Sequence, residues 1–309
     1  MQKKSLFVRV REQKVLCLMI FPAVVFLFMF HYMPLFGLVM AFKDFNYTDG
    51  IWKSPWTGLA NFEYLFVMKN VTIRIIKNTV LYYVLFTALG TVCNIALALM
   101  LNECLSPRFT KYTHTIMILP TFISWIAITY IVKAFLGTTD GLFNNVLQKL
   151  GREPVNWYMT AKYWPSILTI ITLWKGTGYG CILYLSTLCG IDPALYEAAT
   201  IDGANKFQQT RYISLPMLLP LVSIMLLLSL GGIMTSNTGL FYRVTLNTGI
   251  LYSTTQTIDA YVMNAIMGTN NANFNMTSAV TFFQSFVGLV MVVATNLVVR
   301  RIAPENALF

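Results

Sequence analysis

The chain has 309 residues, 56% hydrophobic and only 11% charged, with a mean hydropathy of +0.62; that leaves too few charges to cover a soluble globule of this size. A formal charge of +10 would suit nucleic acid in a soluble protein, but here the basic residues flank apolar runs, where they face anionic headgroups, so membrane lipid is the expected partner and nucleic acid is set aside. Long apolar runs also exclude a transmembrane barrel and leave an all-α, polytopic membrane protein, because in hydrocarbon each helix satisfies its own backbone.

In chain order, residues 1–14 form a basic tail (Lys3, Lys4, Arg9, Arg11, Lys14), followed by a first apolar span at 15–42. The span is too long for a secretory signal and ends at Phe42-Lys43-Asp44 without a small-x-small cleavage pattern, so it is expected to be retained. An outer loop at 43–77 carries Trp52, Trp56, Phe62 and Tyr64. A core at 78–299 then holds five more spans, at 78–101, 115–136, 164–189, 213–235 and 278–299, and a tail at 300–309 closes the chain, giving six transmembrane helices with all the rest as loop. Trp157, Tyr158, Tyr163 and Trp164 precede the fourth span; these aromatics are expected mainly in the interfacial belts, with sugar stacking as the alternative.

With the N-terminus inside, the inner segments hold the basic tail, Arg108, Lys111, Lys206, Arg211, Arg300 and Arg301. The outer loops hold Lys43, Lys53, Lys69, Arg74, Lys77, Lys149, Arg152, Lys162 and Arg243 over a greater length. The roughly twofold density bias predicts both termini in the cytoplasm.

Cys17, Cys93, Cys104, Cys181 and Cys189 lack redox or metal spacing and read as packing residues. His31 and His114 have no carboxylate or thiol neighbours at ligand spacing. Asn46, Asn70 and Asn275 begin N-x-T sequons, which are given no weight. Gly176-Thr177-Gly178-Tyr179-Gly180 is no phosphate loop, since Cys181 holds the sixth position and no strand precedes it; no G-x-x-x-x-G-K-[ST] occurs either. The chain is therefore not expected to bind or hydrolyse ATP itself, and is expected to be non-catalytic.

Within the spans, Lys175 is costly at mid-bilayer and so a candidate for the transport path or for a tie to a broken helix; Gly176, Gly178 and Gly180 are expected to weaken its own helix. Lys133 is expected to snorkel outward. Trp125, Trp174 and Gln284 lie near mid-depth, where aromatic faces and an amide suit sugar rings and hydroxyls, and where interhelical packing is the plainer role.

The segment 192–216 reads as short helix, turn, short helix. Asp192 is a good N-cap, Pro193 suits the first helical position, and Gly203 can close the helix in the left-handed conformation. Leu195, Ala199 and Gly203 share one face, beside a row of Ala194 and Ala198, and Glu197 and Asp202 leave acidic groups exposed. Glu197-Ala198-Ala199, three residues, Gly203, nine residues, then Ile213-x-Leu215-Pro216 resembles the EAA loop of ABC importer permeases. A chance match to the seven fixed positions is on the order of a few in a million.

Phe21-Pro22-Ala23, His31 to Gly37, Ala41 to Asp44, Gly58 to Phe62, Leu173 to Gly176 and Ile258 to Tyr261 are similar to LplB-type permeases, whereas Gly231 to Arg243 matches poorly. The resemblance implies a type I ABC importer permease fold in a bacterial cytoplasmic membrane. It implies half of a pore completed by a second homologous permease subunit, with two cytoplasmic ABC ATPase subunits that bind ATP and magnesium, an extracellular solute-binding lipoprotein, and an oligosaccharide from polysaccharide breakdown as cargo. It also assigns Glu197, Ala198, Ala199, Asp202 and Gly203 to ATPase docking and Ile213, Leu215 and Pro216 to the stem of span five. An ion-coupled secondary transporter is the alternative, but no carboxylate falls within a predicted span. An intramembrane enzyme lacks a nucleophile with a base.

Overall fold

The computed structural model describes residues 13–67, 69–104, 106–267 and 274–302; Lys3, Lys4, Arg9, Arg11 and residues 303–309 lie outside them. The described chain is helical, with one isolated β-bridge between Lys43 and Trp56. Its main helices are α1 (Lys14–Leu27), α2 (Ala60–Val67), α3 (Lys69–Asn102), α4 (Pro107–Ile118), α5 (Trp125–Leu136), α6 (Leu142–Lys149), α7 (Trp164–Cys189), α8 (Pro193–Ile201), α9 (Leu215–Leu230), α10 (Ile258–Met267) and α11 (Phe274–Ile302).

Five helical stretches are long and apolar enough to cross a membrane: Lys14–Phe42, Lys69–Asn102, Ala161–Cys189, Lys206–Leu230 and Phe274–Arg301. The sixth predicted span is a pair, Arg108–Phe122 and Trp125–Leu136, bent by 99°. Pro120 sits in the 3-10 turn that ends the first half, Ile123 is extended, and Ser124 caps α5 by accepting from the Ala127 N–H at 3.2 Å. The second span begins at Lys69 rather than 78, and the fifth is helical to Leu230 rather than 235. Much of what reads as loop is helix: α2, α6 and α10 fall outside the predicted spans, while α8 is the short helix expected at the start of 192–216.

The chain divides into two compact units, residues 1–67 with 268–283 and residues 68–267 with 284–309. In the first, the most apolar window of Lys14–Phe42 buries nothing, as suits a helix facing lipid. Below it a knot forms. Lys43 Nζ donates to the carbonyls of Ile51 (3.0 Å) and Trp52 (2.8 Å), Asn61 Nδ2 donates to those of Ala41 and Lys43, and Phe42 packs on Trp56, Phe62 and Phe282. Asn275 accepts from the Phe45 N–H and donates to Asp44 Oδ1, both at 3.1 Å. Two stretches that carry the LplB resemblance, Ala41 to Asp44 and Gly58 to Phe62, thus build one polar clasp.

The second unit is organised on α3 and α7. Tyr82 packs with Trp164, Leu168 and Ile171 in one core cluster, while Ala98 and Leu101 pack with Cys181, Tyr184 and Leu188 in another. The two helices therefore run side by side in the same direction. Glycine lets neighbours come close to α7: a Cβ on Gly180 would lie 2.4 Å from Asn94 Nδ2 of α3, and one on Gly178 only 1.8 Å from the Met117 carbonyl oxygen of α4. The expected weak point does not break α7, which is continuous through Gly176 to Gly180; Gly178 and Gly180 admit neighbours, and Gly176 has none within 4 Å.

Trp164 is not a belt residue. It is fully buried, donates from Nε1 to the Trp157 carbonyl at 2.9 Å, and Trp157 in turn donates to Asn144 Oδ1 at 3.1 Å. Trp52 and Trp56 are exposed, as a belt requires.

Candidate functional site

At one end of the second unit, Lys206 pairs with Glu103 at 3.2 Å, which places the 190–212 segment beside the end of α3; an exposed pair of this kind contributes at most about 1 kcal/mol and serves mainly to mark that arrangement. There α8 stands out from the bundle. Asp192 Oδ1 accepts from the Ala194 N–H at 3.0 Å, Pro193 opens the helix, and Gly203 closes it at φ +82°, with the Ala204 N–H returning to the Ala199 carbonyl at 2.8 Å. Asn205 and Gln208 then form a reciprocal capping box at the start of the next turn.

Tyr196 and Ser214 share a hydroxyl bond of 2.9 Å, and Gln209 Nε2 donates to Thr200 Oγ1 at 2.8 Å, so α8 is tied to the stem on its inner side. Its outer side is open: Glu197, Ala198, Asp202 and Gly203 are exposed, Ala199 is half-buried, and Ile201 is 86% exposed. Ile213 is half-buried and Leu215 and Pro216 are exposed on the stem, which runs as one helix from Lys206 to Leu230.

At the other end, α5 packs on a π-helical segment, Gly239–Val244. Gly239 permits this, since a Cβ there would lie 2.3 Å from Trp125 Cγ. Between them, α3 and α7 lies a cavity of about 180 Å³, lined by Tyr82, Phe86, Trp125 and Phe241 and by Thr87, Thr172, Thr235, Ser236 and Asn237 among others. Aromatic faces beside hydroxyls and an amide match the two kinds of surface a sugar ring presents. Nearby, Tyr158 packs on Trp164 at 5.1 Å; its hydroxyl is buried without a partner among the described residues, and burial pushes its pKa up to about 12.

Of the four mid-depth candidates, Trp125 lines this cavity. Gln284 supports it from behind: Nε2 donates to the Met234 carbonyl at 2.7 Å and to Asp259 Oδ1 at 3.2 Å. Asp259 Oδ2 accepts from both the backbone N–H and the hydroxyl of Ser236. Asp259, which the sequence reading leaves in an outer loop, is thus the post that fixes the cavity wall to the last span. Its only signal was the Ile258 to Tyr261 similarity. Trp174 lines a different, apolar groove with Ile128, Phe135 and Ile170, and does not join the others.

Lys175 meets carbonyls freed by a broken helix, but the break is in the third span rather than in its own. Nζ donates to the carbonyls of Pro120 (3.1 Å), Thr121 (2.9 Å) and Ile123 (2.6 Å), and lies 5.2 Å from the Trp125 ring centroid, while Thr121 Oγ1 donates back to the Lys175 carbonyl at 2.8 Å. All three ammonium donors are used, so none is left for cargo. Lys175→Met should lower the stability of the purified assembly by about 2–4 kcal/mol by leaving those carbonyls without a donor. A thermal-unfolding series checks this; unchanged stability with lost uptake would mean that the ammonium serves the cargo instead.

The sequence pattern of binding-protein-dependent transport system inner membrane components matches residues 87–304. The chain belongs to this family. It is 30% identical over 305 residues to the polygalacturonan/rhamnogalacturonan transport system permease protein YteP of Bacillus subtilis (strain 168), covering 99% of this chain and 94% of that protein. It is 29% identical over 297 residues to Protein LplB of the same organism, covering 96% and 92%. A solved bacterial ABC transporter involved in import of the acidic polysaccharide alginate contains a chain that superposes with a TM-score of 0.84 at 32% identity, covering 96% of this permease and 99% of that chain. The permease therefore has the all-α, type I importer fold and is a multi-pass component of the inner membrane.

Proposed function

We propose that this permease forms half of the pore of an ATP-driven importer for oligosaccharides released from polysaccharides, and that α8 is where ATPase motion enters it. The observation that carries the reading is the 192–216 segment. A short helix capped at both ends, acidic and unpartnered at Glu197 among the described residues, stands clear of the bundle yet is bonded to the stem of a span. In water alone, a helix this short would be marginal; its caps and ties keep its shape ready for a groove on a partner.

The stem is a lever. Lys206–Leu230 spans 25 residues, roughly 37 Å at about 1.5 Å per residue, and leads into Thr235, Ser236 and Asn237 of the cavity wall. Closure of the ATPase pair pushes α8, and the helix carries the displacement to that wall, which Asp259 and Gln284 hold against the last span. A cavity of about 180 Å³ is smaller than the roughly 300–1,000 Å³ of enclosing ligand sites, as suits one subsite of a path completed by a second, homologous permease subunit.

The family and its relatives support the remaining parts of the reading. Two ATPase subunits supply ATP and magnesium chemistry, and an external binding lipoprotein delivers the sugar; the solved alginate transporter was captured with a pentasaccharide-bound periplasmic protein. Both termini are placed in the cytoplasm on the roughly twofold charge bias.

The test is uptake by proteoliposomes holding the permease with its co-purifying partners. Uptake that requires internal ATP and survives collapse of ion gradients supports the importer; uptake driven by a gradient without ATP would make the protein a secondary carrier.

A further inference from the structure

Beside the cavity just described lies a wider cleft of about 440 Å³, built by the same two elements. On α5, Trp125 faces the cavity while Thr129, Tyr130 and Lys133 follow along the helix into the cleft; on the π-helical segment, Leu240 and Phe241 face the cavity and Tyr242 and Arg243 the cleft. Two cations from separate elements thus meet in one cleft. Among the described residues no Asp or Glu lines it, and neither the Lys133 nor the Arg243 side chain has a hydrogen bond or ion pair.

A snorkelling lysine explains one cation but not a shaped site. The floor of this cleft is shaped: Leu246 and Asn247 are consecutive non-glycine residues in the left-handed region, at φ 53° and 50°, a conformation that persists only where its surroundings hold it. Asn247 is held by a triangle of polar side chains. Asn247 Nδ2 donates to Asn264 Oδ1 at 2.5 Å, Asn264 Nδ2 donates to the Tyr252 hydroxyl at 3.0 Å, and that hydroxyl donates to Asn247 Oδ1 at 2.9 Å.

We infer that Lys133 and Arg243 read the carboxylates of an anionic cargo, so that the permease takes uronate-bearing oligosaccharides rather than neutral ones. The guanidinium can grip a carboxylate in two parallel bonds and the ammonium adds a point charge. Tyr130 and Tyr242 offer ring faces, and Thr129 and Asn247 offer partners for hydroxyls. The cleft lies at the end of the unit away from α8, beside the start of α7, where Leu136 joins the Trp164 and Leu168 cluster. Cargo arriving there meets the cations first. The inference rests on the importer reading, and it names what that importer selects.

The test uses the permease with its partner subunits in proteoliposomes. It compares galacturonate, mannuronate and guluronate trisaccharides with the same sugars after their carboxyls are reduced to hydroxymethyl groups. For wild type, ATP-dependent uptake of at least one uronate should exceed that of its reduced form. Lys133→Gln and Arg243→Gln should each cut uronate uptake roughly tenfold or more and weaken its salt dependence, with uptake of the reduced sugar unchanged and Lys133→Arg restoring most activity. Equal losses for both sugars, no loss for either, or a wild type that prefers the reduced sugars would overturn the inference while leaving the importer intact. Absence of ATP-dependent uptake for every sugar would overturn the importer reading and this inference with it.

Discussion

Gly178→Ala is expected to disrupt the second unit, while Gly176→Ala, two residues away on the same helix, leaves it intact or slightly stabilises it. The added methyl at Gly178 would lie 1.8 Å from the Met117 carbonyl oxygen, 2.2 Å from its carbon and 2.8 Å from the Ile118 nitrogen. All three are backbone atoms, so no side chain can turn aside, and α4 must leave α7. Overpacking a core by a methylene costs typically 1–3 kcal/mol when side chains can adjust; here about 3 kcal/mol or more is expected. The same displacement pulls Pro120 and Thr121 off the Lys175 ammonium, which adds to the loss. At Gly176 nothing lies within 4 Å of the built methyl, and replacing a helical glycine by alanine gains up to about 1 kcal/mol. Thermal unfolding of the two purified assemblies measures the difference. Similar midpoints would mean that α4 and α7 are not in this contact.

The pair also shows where sequence reading reaches its limit. Three glycines beside a lysine in an apolar run read as a weak helix, because composition reports what glycine costs its own backbone and not what it lets another backbone do. The lysine reads as a group of the transport path or as a tie to a break in its own helix, whereas the carbonyls it meets belong to a break at Pro120 and Ser124, some fifty positions earlier in the chain. No periodicity links such positions.

Apolar length made five spans and the bent pair legible, since a bilayer imposes one thickness on each. Length cannot reveal a 99° bend inside an unbroken apolar run, where Leu119-Pro120-Thr121-Phe122-Ile123 is as hydrophobic as its flanks. Nor does it reveal that the poorly matching Gly231 to Arg243 stretch folds back to bury Leu240 and Phe241 in the core. Trp164 was mistaken for a belt residue because its Nε1–H partner is a backbone carbonyl, which has no signature in sequence. The 192–216 segment was legible in detail because its signals are local: an Asx N-cap, proline at the first turn and a glycine C-cap each act within a few residues of themselves.

Glu197→Lys separates coupling from folding and should cost the most function. Glu197 is exposed and has no partner among the described residues, so reversing its charge removes nothing that holds the permease together. Truncating one member of a buried, hydrogen-bonded charge pair across an interface costs about 2–5 kcal/mol, and a reversed charge costs at least as much; uptake should therefore fall roughly a hundredfold or more, with the ATPase released during purification. Gly203→Pro acts otherwise. It removes the N–H that donates to the Thr200 carbonyl at 3.0 Å and forbids φ +82°, so the helix loses its C-cap and the chain cannot turn into the Asn205 capping box. Both variants should abolish ATP-dependent uptake, but only Gly203→Pro should also raise protease sensitivity between Ala199 and Gln209. Full uptake by Glu197→Lys would mean that α8 does not receive the ATPase, whatever its shape; loss of the folded assembly would instead give Glu197 a structural partner outside the described residues.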